Sequence, residues 1–446
     1  MSHFLPFSPT TEQSFALETV GLFLKSTDKA LILKGAAGTG KTSILKAVVN
    51  FLKDQKKQVE LWAPTGCAAM NLSEKTDYQA GTIHSGIYKP ETDEERACVK
   101  LLRKVNQVEG EVIYIIDESS MISNRVDSSA DFETDTPMLS DLIEFVRSGH
   151  SDSKIIFVGD EFQLPPVKYG KYDTAPALDM DFLRREFDLC CSEVSLSKVM
   201  RQAEGSYILE VASEIRNSIR TGGRFSENIG KSMYRMENMI DLYLACFDET
   251  NPRAAVILSL SNDYALKCNH LIRQKLGLTG TIAPGDMVVP SRNFYGYHNT
   301  YIPSGEILQV EHVGKINKVA EMEFMRVGLK RFSHGQEAEI VDVTISLDYL
   351  QDPKSITIDK RKALFASAKK YNPIYRQSKD SRDDEYLSAM QLGYAHAMTC
   401  HKAQGSEWNT VFFNTWMPPN PDLRFLYTGV TRARKELFTN NSHKYA

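Results

Sequence analysis

The stretch LILKGAAGTGKTSILKAVVNFL, residues 31–52, decides the fold. It reads as a short apolar strand, a glycine-rich turn, and a helix whose apolar residues recur at helical spacing. Its centre, Gly35-Ala36-Ala37-Gly38-Thr39-Gly40-Lys41-Thr42, fits G-x-x-x-x-G-K-[ST]. Glycines let backbone N–H groups converge on phosphates. Lys41 supplies positive charge for the β and γ phosphates, and the Thr42 hydroxyl can ligate Mg²⁺. The strand before and the helix after this loop set it apart from a chance glycine-rich turn.

Working outward, further apolar runs occur at 59–63, 112–117, 154–159, 256–261 and 410–413. They show little alternation, as strands buried on both faces of a parallel sheet do. Helical stretches at 42–52 and 138–147 lie between them, so the expected fold class is α/β. The charged segments 86–110 and 122–137 interrupt the alternation, and the second reads as a solvated loop. From 284 to 390 the texture changes to short strands with turns. The expected organisation is a first α/β domain over 1–190 with 86–110 as an accessory segment. A second domain over 191–283 resumes at 391–446, and 284–390 is a β-rich insertion.

Composition sets outer limits. The chain has 446 residues, 42% hydrophobic and 25% charged, which excludes wholesale disorder and a small disulfide scaffold. No apolar run approaches the ~20 residues of a membrane span, so no membrane partner is expected. Seven scattered cysteines without CxxC spacing read as reduced thiols in a cytoplasmic protein. The net charge of −4 argues against a histone-like coat but leaves local basic patches possible.

Asp117 and Glu118 end the apolar strand VIYII. A carboxylate there suits a Mg²⁺ site, and Glu118 could deprotonate the attacking water. The competing reading is a helix N-cap. Gln163, in GDEFQLPPV, could meet a γ-phosphate or the lytic water, or be a surface turn residue.

DESSM (117–121), GDEFQLPPV (159–167), AMTCHKAQGS (397–406) and YTGVTRAR (427–434) together resemble superfamily 1 helicases, in particular the RecD/Dda branch, whose members move 5′ to 3′. The resemblance implies two RecA-like domains, a strand-separating pin in 86–110, and an SH3-like fold for 284–390. It implies ATP hydrolysis with Mg²⁺ held by Thr42 and Asp117. By the same resemblance, Gln13 reads adenine, Arg201 and Arg432 reach the γ-phosphate, and Glu407 approaches the sugar. Thr65, Thr82, His84, Thr399, His401 and Lys402 would face single-stranded DNA. Relatives carry basic residues where this chain has Cys67 and Met70. The implied partners are single-stranded and forked duplex DNA and proteins of replication, repair or recombination, with the chain acting as a monomer.

Two questions stay open in the sequence. The stretch 354–379 holds eight Lys or Arg and one acid, interleaved with Phe365, Tyr371 and Tyr375. It could bind single strands or be a solvated helix face. The motifs also suit a nucleic-acid-dependent ATPase that displaces bound protein, or an RNA helicase. NKVA (317–320) is not the NKxD of a guanine-specific site, and HExxH and GxSxG are missing from the sequence.

Overall fold

The structure is a computed structural model. It describes every residue except 127–131, 169–170, 173–174, 200–206, 224, 226–227, 233–235, 297–299, 333–338, 419–421 and 441–446. The chain divides into two units, 1–90 with 100–209, and 91–99 with 210–446.

In the first unit, α1 (Thr11–Phe23) leads into β1 (Ala30–Gly35), α2 (Lys41–Asp54), β2 (Gln58–Ala63), α3 (Gly66–Thr76), β3 (Ala80–Thr82) and α4 (Ile83–Ile87). A hairpin follows, β4 (Tyr88–Asp93) and β5 (Cys98–Arg103), whose residues 91–99 belong to the second unit, and then β6 (Val112–Ile116), β7 (Phe132–Glu133), α5 (Met138–Arg147) and β8 (Lys154–Gly159). The small hairpin β9 (Val167–Lys168) and β10 (Lys171–Tyr172), α6 (Met180–Phe187) and β11 (Cys191–Leu196) complete it. Six parallel strands form one sheet in the order β11-β1-β8-β6-β2-β3. Ile113 and Ile115 pack on the face covered by α1 and α2. Val112, Tyr114 and Ile116 pack on the face covered by α5. Both faces are thus dry, which is why these strands read as continuous apolar runs.

Two expectations need correction. The first domain does not end at 190, because β11 pairs with β1 from Ala30–Cys191 to Gly35–Leu196. The division falls instead within α7 (Tyr207–Thr221). β11 is an edge strand whose residues alternate between buried and exposed, so it lacks an apolar run. Nor is 122–137 only a solvated loop: β7 joins β4 and β5 in a three-stranded sheet, and Asp135 pairs with Lys100 at 3.0 Å.

The second unit holds β12 (Lys231–Ser232), α8 (Met236–Cys246), β13 (Ala255–Ser259) and α9 (Asn262–Lys275). The inserted part comprises β14 (Met287–Pro290), β15 (Phe294–Tyr295), β16 (Tyr301–Ile302), β17 (Leu308–Val319), β18 (Met322–Arg331), β19 (Ile340–Ser346), α10 (Leu347–Gln351), α11 (Ile358–Tyr371), α12 (Pro373–Ser378) and β20 (Leu392–Tyr394). The chain then returns through β21 (Ala397–Thr399), β22 (Trp408–Phe413), α13 (Arg424–Val430) and β23 (Ala433–Thr439). A second parallel sheet has the order β12-β23-β22-β13-β21. The insertion is antiparallel, β19-β18-β17-β14-β20, and includes Leu392 to Tyr394, beyond the expected boundary at 390. Its edges meet: Met390 donates to the Thr344 carbonyl at 2.8 Å and accepts from Ser346 N–H at 3.1 Å, closing a small barrel.

Buried groups lock the insertion to the parallel sheet. Arg273 on α9 forms a bidentate pair with Asp286 at 2.6 and 3.0 Å. Asn269 exchanges two hydrogen bonds with Ala397, each 2.9 Å. His396, between the two sheets, shares a 2.8 Å hydrogen bond with the Tyr243 hydroxyl.

The basic stretch matches neither of its two sequence readings as a whole. Lys360 pairs with Asp348 at 2.9 Å. Lys369, Lys379 and the buried Tyr375 all converge on Glu94, at the tip of the β4–β5 hairpin. Three of its cations are therefore structural partners. Among the described residues, no helix is long and apolar enough to cross a membrane. All seven cysteines are free thiols.

Candidate nucleotide and nucleic-acid sites

The phosphate loop lies at the carboxyl end of β1. Gly40 is left-handed (φ 89°), and a Cβ on it would come within 2.6 Å of the Gln13 amide nitrogen. A Cβ on Gly35 would meet the Thr39 hydroxyl at 2.7 Å. Both positions therefore require glycine. The Thr39 hydroxyl donates to the Ala36 carbonyl at 2.9 Å, holding the loop in a tight turn. Thr42 falls in the first turn of α2, whose free N–H groups suit an anion. Lys41 is turned back onto its own loop. Its Nζ donates to the carbonyls of Gly35 at 2.6 Å and Ala36 at 3.1 Å. Neutral carbonyls are weaker partners for an ammonium than phosphate oxygens would be.

Asp117 directly follows β6 and donates its N–H to the Trp62 carbonyl at 2.9 Å. Desolvation raises its carboxyl above the ordinary range, while the Glu118 backbone and the charges of Lys41 and Lys75 pull it back. Such a carboxylate is incompletely neutralised, and a divalent cation would supply the missing charge. Among the described residues, no cluster of three or more His, Cys, Asp or Glu could hold a metal by itself. A metal here would need Asp117, the Thr42 hydroxyl, phosphate oxygens and water together, a donor set that fits Mg²⁺.

Glu118 is left-handed without being glycine (φ 50°, ψ 38°), and its side chain makes no capping bond to the 3₁₀ turn that follows. The capping alternative therefore fails for Glu118, and the strained backbone is of the kind stored at reactive positions. Gln163 is buried, not on a surface turn, and its Oε1 has no hydrogen-bond partner. A buried unpaired amide oxygen aimed from the end of β8 is a place for a donor such as water.

Gln13 serves two purposes. Its Oε1 accepts from Thr10 N–H at 3.1 Å in a capping box, and its Nε2 donates to the Thr39 carbonyl at 3.4 Å. The spacing Thr10-x-x-Gln13 is itself a capping-box signature, so that role was open to sequence reasoning. Sequence reasoning missed Glu12. Its carboxylate accepts from the N–H groups of Ser197 and Lys198, each at 2.8 Å, and from the Ser197 hydroxyl. These bonds hold its pKa below the usual range. Arg201, three residues beyond Lys198, lies outside the described residues.

In the second unit Arg432 is buried. Its guanidinium donates to the carbonyls of Thr428 and Ser406 and to the Thr431 hydroxyl, each at 3.1 Å. Glu407 pairs with Arg434 at 3.0 Å.

The expected nucleic-acid residues divide between the units. Thr65 caps α3, accepting from Ala68 N–H at 3.2 Å, and Thr82 caps α4, accepting from Ser85 N–H at 3.2 Å. Because Ala63 registers with Thr82, both caps sit at the same carboxyl edge as the phosphate loop. His84 lies between Tyr88 and Phe132, with ring centroids 5.7 and 6.1 Å away. Cys67 is buried and Met70 half-buried, so position 67 has no room for a solvated cation. In the second unit Thr399 ends β21 and accepts from Lys402 N–H at 3.4 Å. His401 is half-buried, which lowers its pKa, and Lys402 is exposed.

A family model described as an AAA domain matches residues 10–228, and one for a UvrD-like helicase C-terminal domain matches 394–438. The chain is 25% identical to the ATP-dependent DNA helicase dda of Enterobacteria phage T4, over 97% of this chain and 100% of that one. It is 26% identical to the ATP-dependent RecD2 DNA helicase of Deinococcus radiodurans, over 93% of this chain and 47% of that protein. It is 24% identical to the RecBCD enzyme subunit RecD of Buchnera aphidicola, over 94% and 72%. A solved Pif1 helicase structure, from work on unwinding at forked double-stranded DNA, superposes with a TM-score of 0.52 at 16% identity, covering 97% of this chain and 92% of that one. That likeness supports the two-domain α/β fold. With both family models in chain order and relatives aligned along nearly its whole length, the chain is similar to the superfamily 1 helicases of the RecD/Dda-like group.

Proposed function

We infer that this protein is an ATP-dependent DNA helicase that translocates on single-stranded DNA from 5′ to 3′ and separates duplex strands. One observation carries the ATPase half: the phosphate loop, Asp117, Glu118 and Gln163 follow β1, β6 and β8, three adjacent strands, at one sheet edge. That edge is where α/β sheets bind nucleotides.

Each residue has a role in that reading. Lys41 leaves the carbonyls of Gly35 and Ala36 for the β and γ phosphates. Thr42 and Asp117 would hold Mg²⁺, which when bound would supply charge neutralisation at the phosphates. Glu118 takes a proton from water that Gln163 orients. Gln13 contacts adenine from its place against Thr39. Arg201, Arg432 and Glu407 contribute from the remainder of the chain. Thr65, Thr82, His84, Thr399, His401 and Lys402 grip the sugar-phosphate backbone of one strand, the protein working as a monomer. The two units hold the strand with different strength before and after hydrolysis, which turns ATP use into directed steps.

The β4–β5 hairpin favours strand separation over protein displacement. Its turn is fixed by Glu94, which accepts from Lys369, Tyr375 and Lys379, and a wedge at a fork needs such a fixed turn. The test uses ATPase assays with and without single-stranded DNA, and two duplexes of equal length tailed at 5′ or at 3′. ATP-dependent opening of the 5′-tailed duplex is expected. Preference for the 3′-tailed duplex would overturn the polarity and leave the ATPase reading intact. A matched RNA strand in competition separates DNA from RNA preference.

A further inference from the structure

A two-stranded hairpin is marginally stable by itself. One that parts base pairs must also resist bending at its foot, or the work of each step goes into deflecting it. The structure shows what stiffens that foot. Asp141, in the first turn of α5, is buried, with 5% of its surface exposed. Its Oδ2 accepts from the hydroxyl of Tyr88, the first residue of β4, at 2.7 Å. Its Oδ1 accepts from the Thr136 hydroxyl and lies 3.4 Å from Nε of Arg103, the last residue of β5. One carboxylate thus holds both strands of the hairpin where they leave the first unit. Nearby, Lys104 N–H donates to the Ile87 carbonyl at 2.7 Å, and its ammonium to the Ser85 carbonyl at 2.7 Å. Lys100 and Asp135 brace β5 against the neighbouring strand at 3.0 Å.

We propose that Asp141 is a positioning residue for strand separation: by clamping Tyr88 and Arg103 together it stiffens the base of the hairpin. This rests on the helicase reading above. Asp141 touches neither the phosphate loop nor the threonine caps, so its loss should leave ATP turnover and single-strand movement in place. The carboxylate suits this role better than an amide. It accepts from two hydroxyls while pairing with a guanidinium, and bonds to an ionised acceptor are about twice as strong as neutral ones.

The test compares wild type, Asp141→Asn and Tyr88→Phe. DNA-stimulated ATPase, translocation along single strands and single-turnover unwinding of forked duplexes are measured together, with Lys41→Ala as the inactive control. A hydrogen bond to a charged group is worth roughly tenfold in an equilibrium, so unwinding should fall by about that factor in either variant, more steeply on GC-rich forks. ATPase and translocation should stay near wild type. Unwinding and translocation falling in parallel, or unwinding unchanged in both variants, would overturn the proposal. Tyr88→Phe removes a single oxygen and gives the readout even where Asp141→Asn folds poorly. If wild type itself opens no fork, the helicase reading fails. The anchor is then judged by amide hydrogen exchange in 88–103, which should quicken in Asp141→Asn; unchanged exchange would overturn it.

Discussion

The side-chain amide of Gln13 lies 3.4 Å from the carbonyl oxygen of Thr39, tying the first helix to the phosphate loop. The same side chain caps that helix through Thr10. Gln13→Glu keeps the capping acceptor and removes the donor to the loop. It should raise the KM for ATP, and because Gln13 is buried, the carboxylate oxygen left facing the Thr39 carbonyl should also lower the melting temperature. Gln13→Ala should also lose the cap, at a cost of about 1 kcal/mol. Steady-state kinetics and thermal melts check both.

Lys41→Ala should abolish ATP hydrolysis and leave the circular dichroism spectrum unchanged. The ammonium donates to the loop carbonyls of Gly35 and Ala36, and no buried core depends on it. Turnover close to wild type with single-stranded DNA present would remove the phosphate-loop assignment.

Glu118 supports a two-variant comparison. Glu118→Gln preserves shape and removes the base, so hydrolysis should slow by ~10²–10⁴ while ATP still binds. Glu118→Gly should be equally slow, yet no less stable. Relief of the left-handed backbone and the added chain entropy of glycine are each about 1 kcal/mol and oppose one another. A marked drop in melting temperature for the glycine variant would show that the side chain, not the backbone, shapes this turn.

His396 predicts how the second unit responds to acid. Burial pushes its pKa down to about 3, from an ordinary value near 6.5. Between those values the unfolded chain binds a proton that the folded chain does not, so stability rises with pH across this window and falls on acidification. One proton limits the slope to about 1.4 kcal/mol per pH unit. Denaturant melts from pH 4 to pH 7 should show a shallower slope in His396→Gln. An unchanged slope would assign the acid sensitivity to other groups.

Glu94→Gln tests the hold on the hairpin tip. Its carboxylate accepts from Lys369, Tyr375 and Lys379, and the Lys369 bond chiefly holds its pKa below the usual range. The neutral amide should weaken strand separation while sparing ATPase. Raised salt should narrow the difference between the variant and wild type, because the charges are partly exposed. A variant that unwinds normally at low salt would show the tip contact to be dispensable.

The parallel sheets were legible because burial on both faces leaves nothing to alternate: Val112 to Ile116 could hardly be anything but a central strand. The residues at strand ends were legible for a related reason, since Lys41, Asp117 and Gln163 sit where the backbone must turn. β11 was hidden because an edge strand exposes every second residue, and CSEVSL looks like loop. Asp141 and Glu12 were invisible for another reason. Each lies in the first turn of a helix, where an acidic residue is ordinary, and each acts on partners distant in sequence. The partners of Lys369 and Lys379 were hidden likewise: Glu94 is 275 and 285 residues away, and a run of cations gives no sign of which members are already neutralised.

Val288 pairs with Tyr394, so the chain enters and leaves the small barrel at neighbouring points. A module joined through one doorway makes little demand on its host. The host needs its two ends side by side, and the closure entropy of the segment between them grows only slowly with length. The barrel is in that sense an exchangeable cassette, free to be resized or rebuilt while β13 and β21 keep their register. The recognisable motifs stop on either side of 284–390 for this reason. The motor and the attachment it carries can diverge at different rates.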